Sequence, residues 1–289
     1  MVLSSFHTHT YFCDGEDSVE FLCEKAVEKG FTALGFSSHA PLPPDCGLVS
    51  DWHMKAGSLD QYIDEILGAK KKWAGRLEVF LGLEVDYIKG VMGPADSIYK
   101  ELGFDYLIGS VHYLIPGRGA PFAVDGPASE FERGIQEGYE GDGAALMEAY
   151  WDAVREMCAA GGARIVGHLD LLKKNNQDER WFSLRDARYK KKLGQVLDVI
   201  AGSGLIVEVN TGGINRKKIK EVYPAPWILK STRERGIPVL ISSDAHRHIH
   251  LDAYYAEAGK ILMEAGYTAI KRLSACGGRG PQWIDDPLG

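Results

Sequence analysis

Short apolar runs alternate with longer amphipathic segments along nearly the whole chain. The apolar runs are rich in Val, Ile, Leu, Phe and Thr, which favours buried strands. In chain order they are "SSFHTH", "TALGFSSH", "LEVFLGLEVDYI", "DYLIGSVHYL", "ARIVGHLDLL", "LIVEVNT" and "IPVLISSDAH". The segments between them carry signals for helix starts. Asp17 and Ser18 precede "VEFLCEKAVEKG", Ser58 and Gln61 have the spacing of a capping box, and Pro94 suits a first helical turn.

This alternation predicts an α/β fold with seven strand–helix units in one domain spanning residues 1–289. Apolar strands that alternate with helices are typical of parallel sheets. An unbroken series of such units favours a closed or nearly closed TIM-like barrel over a doubly wound sheet. The segment 116–143 is rich in Gly, Pro and acidic residues, and the series resumes after it. We therefore expect a long loop or lid there.

Composition narrows the choice of partners and compartment. The chain has 289 residues, 45% hydrophobic and 25% charged, with a net charge of −7 and no Lys/Arg-rich run. These values are typical of a globular protein and give no reason to expect binding to nucleic acid or membranes. The N-terminal segment "MVLSSFHTH" has neither a basic region nor a long apolar run, so we expect no signal peptide. The five cysteines form no CxxC pair and suit a reducing compartment, so we expect a cytoplasmic location. They are Cys13, Cys23, Cys46, Cys158 and Cys276.

Polar residues that can bind metals recur near the carboxyl ends of the predicted strands. In α/β barrels this rim carries the catalytic groups. One histidine at a strand end is ordinarily structural, but such a repeated set would be costly to bury without a cation. His and carboxylate ligands suit zinc, manganese or iron, and one ion would leave many of them unused. The set is His7, His9, Asp14, His39, Glu84, His112, His168, Asp170, Glu208, Asn210, Asp244 and His246. His53, His248 and His250 lie outside this pattern, and we expect them at the surface or in a lid.

The motifs "FHTHTYFCDG", "GFSSHAPLP", "GLEVDYI", "DYLIGSVHYL", "IVGHLDLLKK", "LIVEVNTGGI" and "ISSDAHR" together resemble the PHP (polymerase and histidinol phosphatase) superfamily. More narrowly, the chain is similar to the histidinol-phosphate phosphatases of that superfamily. The resemblance implies a distorted (β/α)7 barrel with three divalent metal ions. One ion would take His7, His9, Glu84 and Asp244; a second, Glu84 as a bridge, His112 and His168; a third, Asp14, His39 and His246. Ser38 stands where the family often has an acidic residue.

The resemblance also implies an activity, the hydrolysis of L-histidinol phosphate to L-histidinol and phosphate in histidine biosynthesis. A metal-bridging hydroxide would attack phosphorus directly, with Asp244, His246 and Glu84 as catalytic ligands. The zinc, iron or manganese ions would be the cofactors and a small phosphomonoester the partner.

Several side chains are candidates for contacts with this substrate. Arg247 and Arg164 are candidate phosphate contacts, with a surface role as the alternative. The position of Arg247 beside His246 favours the phosphate contact for Arg247. Glu208 or Asn210 would hold the amine or imidazole, or orient a metal ligand. In the 116–143 segment, acidic side chains would suit a cationic substrate if they cover the pocket, and otherwise form a solvated loop. They are Asp125, Glu130 and Glu132.

Other functions predict other features. A PHP phosphodiesterase acting on nucleic-acid ends would have a basic groove, and this chain is acidic. A catalytically silent PHP module would lack ligands, whereas every ligand position is filled here. An amidohydrolase would place a lysine on a middle strand, and none lies there convincingly. The oligomeric state and the choice among small phosphomonoesters stay open.

Overall fold

A computed structural model describes residues 3–44, 46–275 and 280–289 of the chain; Cys276 lies outside the described residues. The strands are β1 (Leu3–Ser5), β2 (Phe31–Phe36), β3 (Glu78–Asp86), β4 (Tyr106–Ser110), β5 (Tyr113–Leu114), β6 (Phe122–Ala123), β7 (Ile165–Val166), β8 (Ile206–Asn210), β9 (Val239–Ser242), β10 (Ala269–Ser274) and β11 (Gln282–Pro287). The helices are α1 (Val19–Glu28), α2 (Leu59–Lys72), α3 (Ser97–Glu101), α4 (Ala128–Gly138), α5 (Gly143–Ala160), α6 (Ala187–Ser203), α7 (Gly212–Asn215), α8 (Pro226–Glu234) and α9 (Tyr255–Glu264).

Seven strands form one parallel sheet in the order β1-β2-β3-β4-β7-β8-β9. The sheet curves until its first and last strands meet just beyond their carboxyl ends. There the His9 amide donates to the Ala245 carbonyl at 2.9 Å, and the Ala245 amide donates to the His7 carbonyl at 3.3 Å. The predicted seven-unit, nearly closed TIM-like barrel is confirmed. Its closing seam runs between two segments that carry candidate ligands.

The half of the barrel interior nearer the amino ends of the strands is apolar and closely packed. Tyr106 is buried there, and its hydroxyl donates to the Phe6 carbonyl at 2.7 Å. Its ring fills space that side chains at Gly35 and Gly82 would otherwise need, since a Cβ at either position would lie 2.3 Å from a Tyr106 atom. This layer forms a rigid floor beneath the polar rim.

A C-terminal hairpin that the sequence pattern did not predict covers the amino ends of the strands. β10 and β11 pair antiparallel, and the Trp283 ring lies 5.4 Å from the Phe6 ring. Arg272 forms an ion pair at 3.2 Å with Glu78, the first residue of β3. The hairpin therefore closes the end of the barrel opposite the candidate ligands.

The 116–143 segment is not simply a long loop, which corrects that prediction. It contains β6, which pairs with β5, and the helix α4, whose Phe131 and Ile135 are buried. Lys174 and Asn175 fasten the segment to the barrel, since Asn175 donates to the Val124 and Gly126 carbonyls at 3.0 Å.

The helix-start predictions had mixed outcomes. Ser18 caps α1 by accepting from the Phe21 amide at 3.2 Å, as predicted. The capping box at Ser58 is wrong, because a 3-10 turn precedes α2 and the Ser58 side chain makes no capping hydrogen bond. Among the described residues, no helix combines the length and the apolar character needed to cross a membrane.

The packing around Tyr106 predicts opposite effects for two glycine substitutions. We expect Gly82→Ala to destabilise the protein by about 1–3 kcal/mol or more, because the new Cβ would overlap the buried Tyr106 ring. The control is Gly68→Ala in α2, where nothing lies within 4 Å of the added Cβ; helix propensity should stabilise it by about 0.5–1 kcal/mol. Urea denaturation measures both. Equal unfolding midpoints for the two variants would contradict this packing account.

Candidate metal centre

The candidate ligands lie at or just beyond the carboxyl ends of the barrel strands. Glu84 lies within β3, and its neighbour across the sheet is His39, three residues after β2; the Ala40 amide donates to the Glu84 carbonyl at 2.8 Å. His112 follows β4 by two residues, and His168 follows β7 by two. The observed strands end earlier than predicted, because the chain leaves the regular ladder where it turns these side chains inward.

The first cluster comprises His7, His9, Glu84 and Asp244, all buried. Glu84 Oε2 lies 3.1 Å from His7 Nε2 and 3.7 Å from His9 Nε2. Asp244 Oδ1 lies 3.2 Å from His9 Nε2 and 3.8 Å from His7 Nε2. The four donor atoms therefore face one another across a small space at the barrel axis.

A second cluster uses the other oxygen of Glu84. Glu84 Oε1 lies 3.0 Å from His168 Nε2 and 3.8 Å from His112 Nε2, and it accepts a hydrogen bond from Ser110 Oγ at 2.6 Å. Glu84 thus faces two groups of histidines with its two oxygens, which is the arrangement expected of a bridging carboxylate.

The third cluster lies nearer the surface and comprises Asp14, His39 and His246. Asp14 Oδ2 lies 3.0 Å from His246 Nε2, and Asp14 Oδ1 lies 3.8 Å from His39 Nε2. The His246 ring stacks on the His9 ring at 4.1 Å, so this cluster is in contact with the first. The structure therefore brings all nine predicted ligand residues into one continuous group.

The residues present fit divalent cations. His7 Nε2, His9 Nε2 and Glu84 Oε2 are buried and make no hydrogen bond, which is costly unless another group satisfies them. In four sets of three or four residues, the donor atoms lie within 4.8 Å of one another. Imidazole nitrogens and carboxylate oxygens, without a thiolate, suit zinc, manganese or iron.

The electrostatics of the centre also favour cations. Burial raises the pKa of Glu84, but His7, His39 and His112 outweigh it and hold that pKa well below its usual value. Burial, His246 and His39 together lower the pKa of His9 to about 3, so this imidazole is neutral and able to bind a metal.

Glu208 and Asn210 support the ligands and do not line the cavity. Glu208 Oε1 accepts from His7 Nδ1 at 2.6 Å, and its Oε2 accepts from the His168 amide at 2.8 Å. Asn210 Nδ2 donates to Glu208 at 3.0 Å and to Asp244 at 3.3 Å. Both side chains are fully buried. The geometry favours the orienting role over substrate contact, because such hydrogen bonds fix the tautomer and direction of a ligand.

Two predicted phosphate contacts are not in the cavity. Arg164 is exposed and precedes β7, at the end of the barrel opposite the ligands, which contradicts a contact with substrate phosphate. The Arg247 side chain is 47% exposed and pairs with Glu16 at 3.2 Å. It points to the outer surface beside the rim and does not line the cavity.

Arg216 lines the cavity beside the candidate ligands, and the sequence analysis missed it. Its Nη2 donates to Asp244 Oδ2 at 2.8 Å, and its Nη1 donates to the Asp244 carbonyl at 2.8 Å and lies 3.0 Å from His246 Nδ1. Burial lowers the Arg216 pKa, but the Asp244 carboxylate outweighs it and raises that pKa above its usual value. Arg216 follows the short helix α7, where no strand periodicity marks it; its place after "NTGGIN" was the available signal.

Two further predictions, those for His53 and Asp170, need revision. His53 was expected at the surface but is buried, with its Nε2 2.9 Å from Asp86 Oδ2. Asp170 belongs to no candidate cluster among the described residues; it pairs with Lys173 at 3.0 Å and accepts from the Ala225 amide. His248 is partly exposed and lies 3.0 Å from Asp17, and His250 is also partly exposed.

The clusters open into a cavity of about 680 Å³. Its walls come from the 46–54 segment, the 116–143 segment and the loop after β8. Its lining includes the basic side chains of Arg216, Lys174 and Lys218 and the acidic side chains of Asp125 and Glu130, and Lys174 pairs with Asp125 at 3.3 Å. Glu132 lies outside the cavity and pairs with Arg180 at 3.0 Å. A phosphate ester with a cationic end would meet complementary charges here.

Comparison with known proteins places the chain in a family. The model of the PHP domain matches residues 5–212. The probable histidinol-phosphatase of Deinococcus radiodurans is 35% identical over 91% of this chain and 94% of its own length. The histidinol-phosphatase of Bacillus subtilis is 30% identical over 83% of this chain and 92% of its own length.

Solved structures have the same fold. A Listeria monocytogenes protein, provisionally described as a histidinol phosphatase, is 26% identical, with a TM-score of 0.78 over 88% of this chain and 99% of that one. Histidinol phosphate phosphatase from Lactococcus lactis, solved with zinc, L-histidinol and phosphate, is 19% identical, with a TM-score of 0.64 over 97% of this chain and 98% of that one. The chain therefore belongs to the PHP domain family and, within it, to the histidinol-phosphatase group of enzymes.

Proposed function

We propose that this protein is a metal-dependent phosphomonoesterase that hydrolyses L-histidinol phosphate to L-histidinol and phosphate. The observation that carries the proposal is the convergence of Glu84 and eight other His and Asp side chains into one continuous group at the floor of one cavity. The names of the relatives support the substrate. The Lactococcus lactis structure contains, besides zinc, L-histidinol and phosphate, which are the two products of this reaction.

We propose that the chain binds three divalent ions. The sets are His7, His9, Glu84 and Asp244; Glu84, His112 and His168; and Asp14, His39 and His246. When bound, divalent ions would neutralise phosphate charge and lower the pKa of water, so that hydroxide is available at neutral pH. Zinc, manganese and iron all suit these donors.

Arg216 is proposed to orient both the substrate phosphate and the candidate metal ligand Asp244. Two of its donors hold Asp244, and the planar guanidinium has further donors that can face a phosphate oxygen in the cavity. The permanent positive charge would stabilise the negative charge of the transition state without any change in protonation.

The acidic residues of the 116–143 segment that line the cavity are proposed to recognise the cationic part of the substrate. Asp125 lines the cavity, and although burial raises its pKa, His112 and Lys174 outweigh it and lower that pKa, so the side chain is an anion. Glu130 also lines the cavity, and its Oε1 accepts from the Ala123 amide at 3.0 Å. The 116–143 segment would thus contribute specificity, and the metal centre reactivity.

Glu84→Ala tests the shared ligand. We expect loss of bound metal and of nearly all phosphatase activity, because two clusters lose their common carboxylate. Metal analysis and phosphate release from a panel of histidinol phosphate, nucleotides and phosphodiesters measure this, with Glu132→Gln as the surface control. Full activity of the metal-stripped wild type would refute the metal-dependent mechanism, and preference for a diester would refute the substrate.

Two arginine variants test the placement of the phosphate. Arg216→Lys should lower kcat by roughly a hundredfold, since Lys lacks the planar fork that holds Asp244 and an anion at once. Arg247→Lys is the matched control and should retain activity, because that side chain points away from the cavity. Steady-state kinetics of both variants, with analysis of their metal content, tests this assignment. Loss of activity in Arg247→Lys alone would reverse the assignment.

Asp125→Asn tests recognition of the substrate cation. We expect KM for histidinol phosphate to rise roughly fivefold, equivalent to about 1 kcal/mol. KM for p-nitrophenyl phosphate, which has no cationic group, should stay the same or fall. Glu132→Gln removes an acid of the same segment outside the cavity and should change neither value. A parallel rise for both esters would assign Asp125 to general positioning instead of specificity.

A further inference from the structure

A chain of buried hydrogen bonds leads away from the candidate ligand His112. Asp86 Oδ1 accepts from His112 Nδ1 at 2.8 Å and from the His112 amide at 3.1 Å. Asp86 Oδ2 lies 2.9 Å from His53 Nε2, and His53 Nδ1 lies 2.8 Å from Ser50 Oγ. Asp86 is 2% exposed and His53 8%. One carboxylate therefore joins two imidazoles from different parts of the chain.

The contact with Asp86 fixes how His112 is presented. With Nδ1 donating to Asp86, the free nitrogen of His112 is Nε2, which faces Glu84 Oε1 at 3.8 Å. A carboxylate behind an imidazole fixes its tautomer and increases its basicity as a metal ligand.

His53 connects the same carboxylate to a wall of the cavity. It belongs to the 46–54 segment, in which Ser50 Oγ also accepts from the Trp52 amide at 3.2 Å. The Trp52 ring lies 3.8 Å from the His53 ring, 4.6 Å from the His39 ring and 5.2 Å from the His112 ring. The segment therefore rests on two candidate ligands and is tied to one of them through Asp86. Its residues 47–52 line the cavity.

We propose that Asp86 and His53 are positioning residues that couple metal binding at His112 to the order of the 46–54 segment. Binding of an ion at Glu84, His112 and His168 holds the His112 ring, and through Asp86 and His53 it holds the wall formed by this segment. This inference rests on the proposed metal centre, and it adds a physical link from that centre to the substrate cavity.

Metal affinity provides the first test. Asp86→Asn should weaken binding of Zn²⁺ or Mn²⁺ at the most easily exchanged site by about 10- to 100-fold, as measured by competition with a chromophoric chelator. The matched control is Asp17→Asn. Asp17 Oδ2 accepts from the amide and Nδ1 of His248 in the same geometry, but outside the metal clusters, and its loss should leave the affinity unchanged. Equal affinities for wild type and Asp86→Asn would overturn the positioning role.

Hydrogen–deuterium exchange of the 46–54 segment provides the second test, with and without Zn²⁺. In the wild type, metal should slow exchange in this segment. His53→Leu should abolish the metal-dependent protection, and His53→Gln, which retains a donor for Asp86, should restore part of it. Metal-dependent protection that persists in His53→Leu would overturn the coupling. A wild-type protein that takes up no Zn²⁺ or Mn²⁺ would overturn the metal centre itself, and this proposal with it.

Discussion

The candidate site depends on one buried carboxylate. Glu84 lies in the middle of the rim, 1% exposed, and its two oxygens face histidines from the first, second, fourth and fifth strands of the barrel order. An ionised carboxylate at that depth is stable only if positive charge surrounds it. Bound cations supply that charge in the proposed enzyme. The same constraint explains why histidines converge there and why the second buried carboxylate, Asp244, is paired with Arg216.

Along its axis, the barrel has a packed apolar layer at one end and the candidate metal ligands at the other. Side chains of alternate strand residues point inward, so a strand can contribute an apolar residue to the floor and a ligand to the rim. In β3, Phe80 packs against Phe6 in the floor, and Glu84, four residues later on the same face of the strand, belongs to the metal cluster. The C-terminal hairpin closes the apolar end. Ligand positions are thereby fixed by a packed core, which is what a centre requiring accurate donor placement needs.

The features that the sequence predicted well are those with a period. Seven apolar runs marked the strands, and the ligands could be located because a parallel barrel brings the carboxyl ends of its strands together. Arg216 and His53 have no such marker, since each lies in an irregular segment whose path is determined by contacts distant in sequence. Helix α4 was missed because Gly and Pro around it suggested a loop, although Phe131 and Ile135 have helical spacing. The strands were predicted too long, because the ligand-bearing residues leave the ladder.

The negative net charge of the protein disfavours binding of a phosphate, and groups in the cavity compensate for it. A protein of net charge −7 that binds a phosphate dianion must create a local positive potential. The candidate metal ligands carry three carboxylates of their own, Asp14, Glu84 and Asp244, so histidines alone would leave the centre unfavourable to an anion. In the proposed enzyme, divalent ions together with Arg216 would reverse the sign at the floor of the cavity. Glu130 and Asp125 add carboxylates to the cavity lining, and Asp125 is paired with Lys174 at 3.3 Å. A ligand with an anionic and a cationic end would therefore place its phosphate toward the clusters and its cation toward the 116–143 segment.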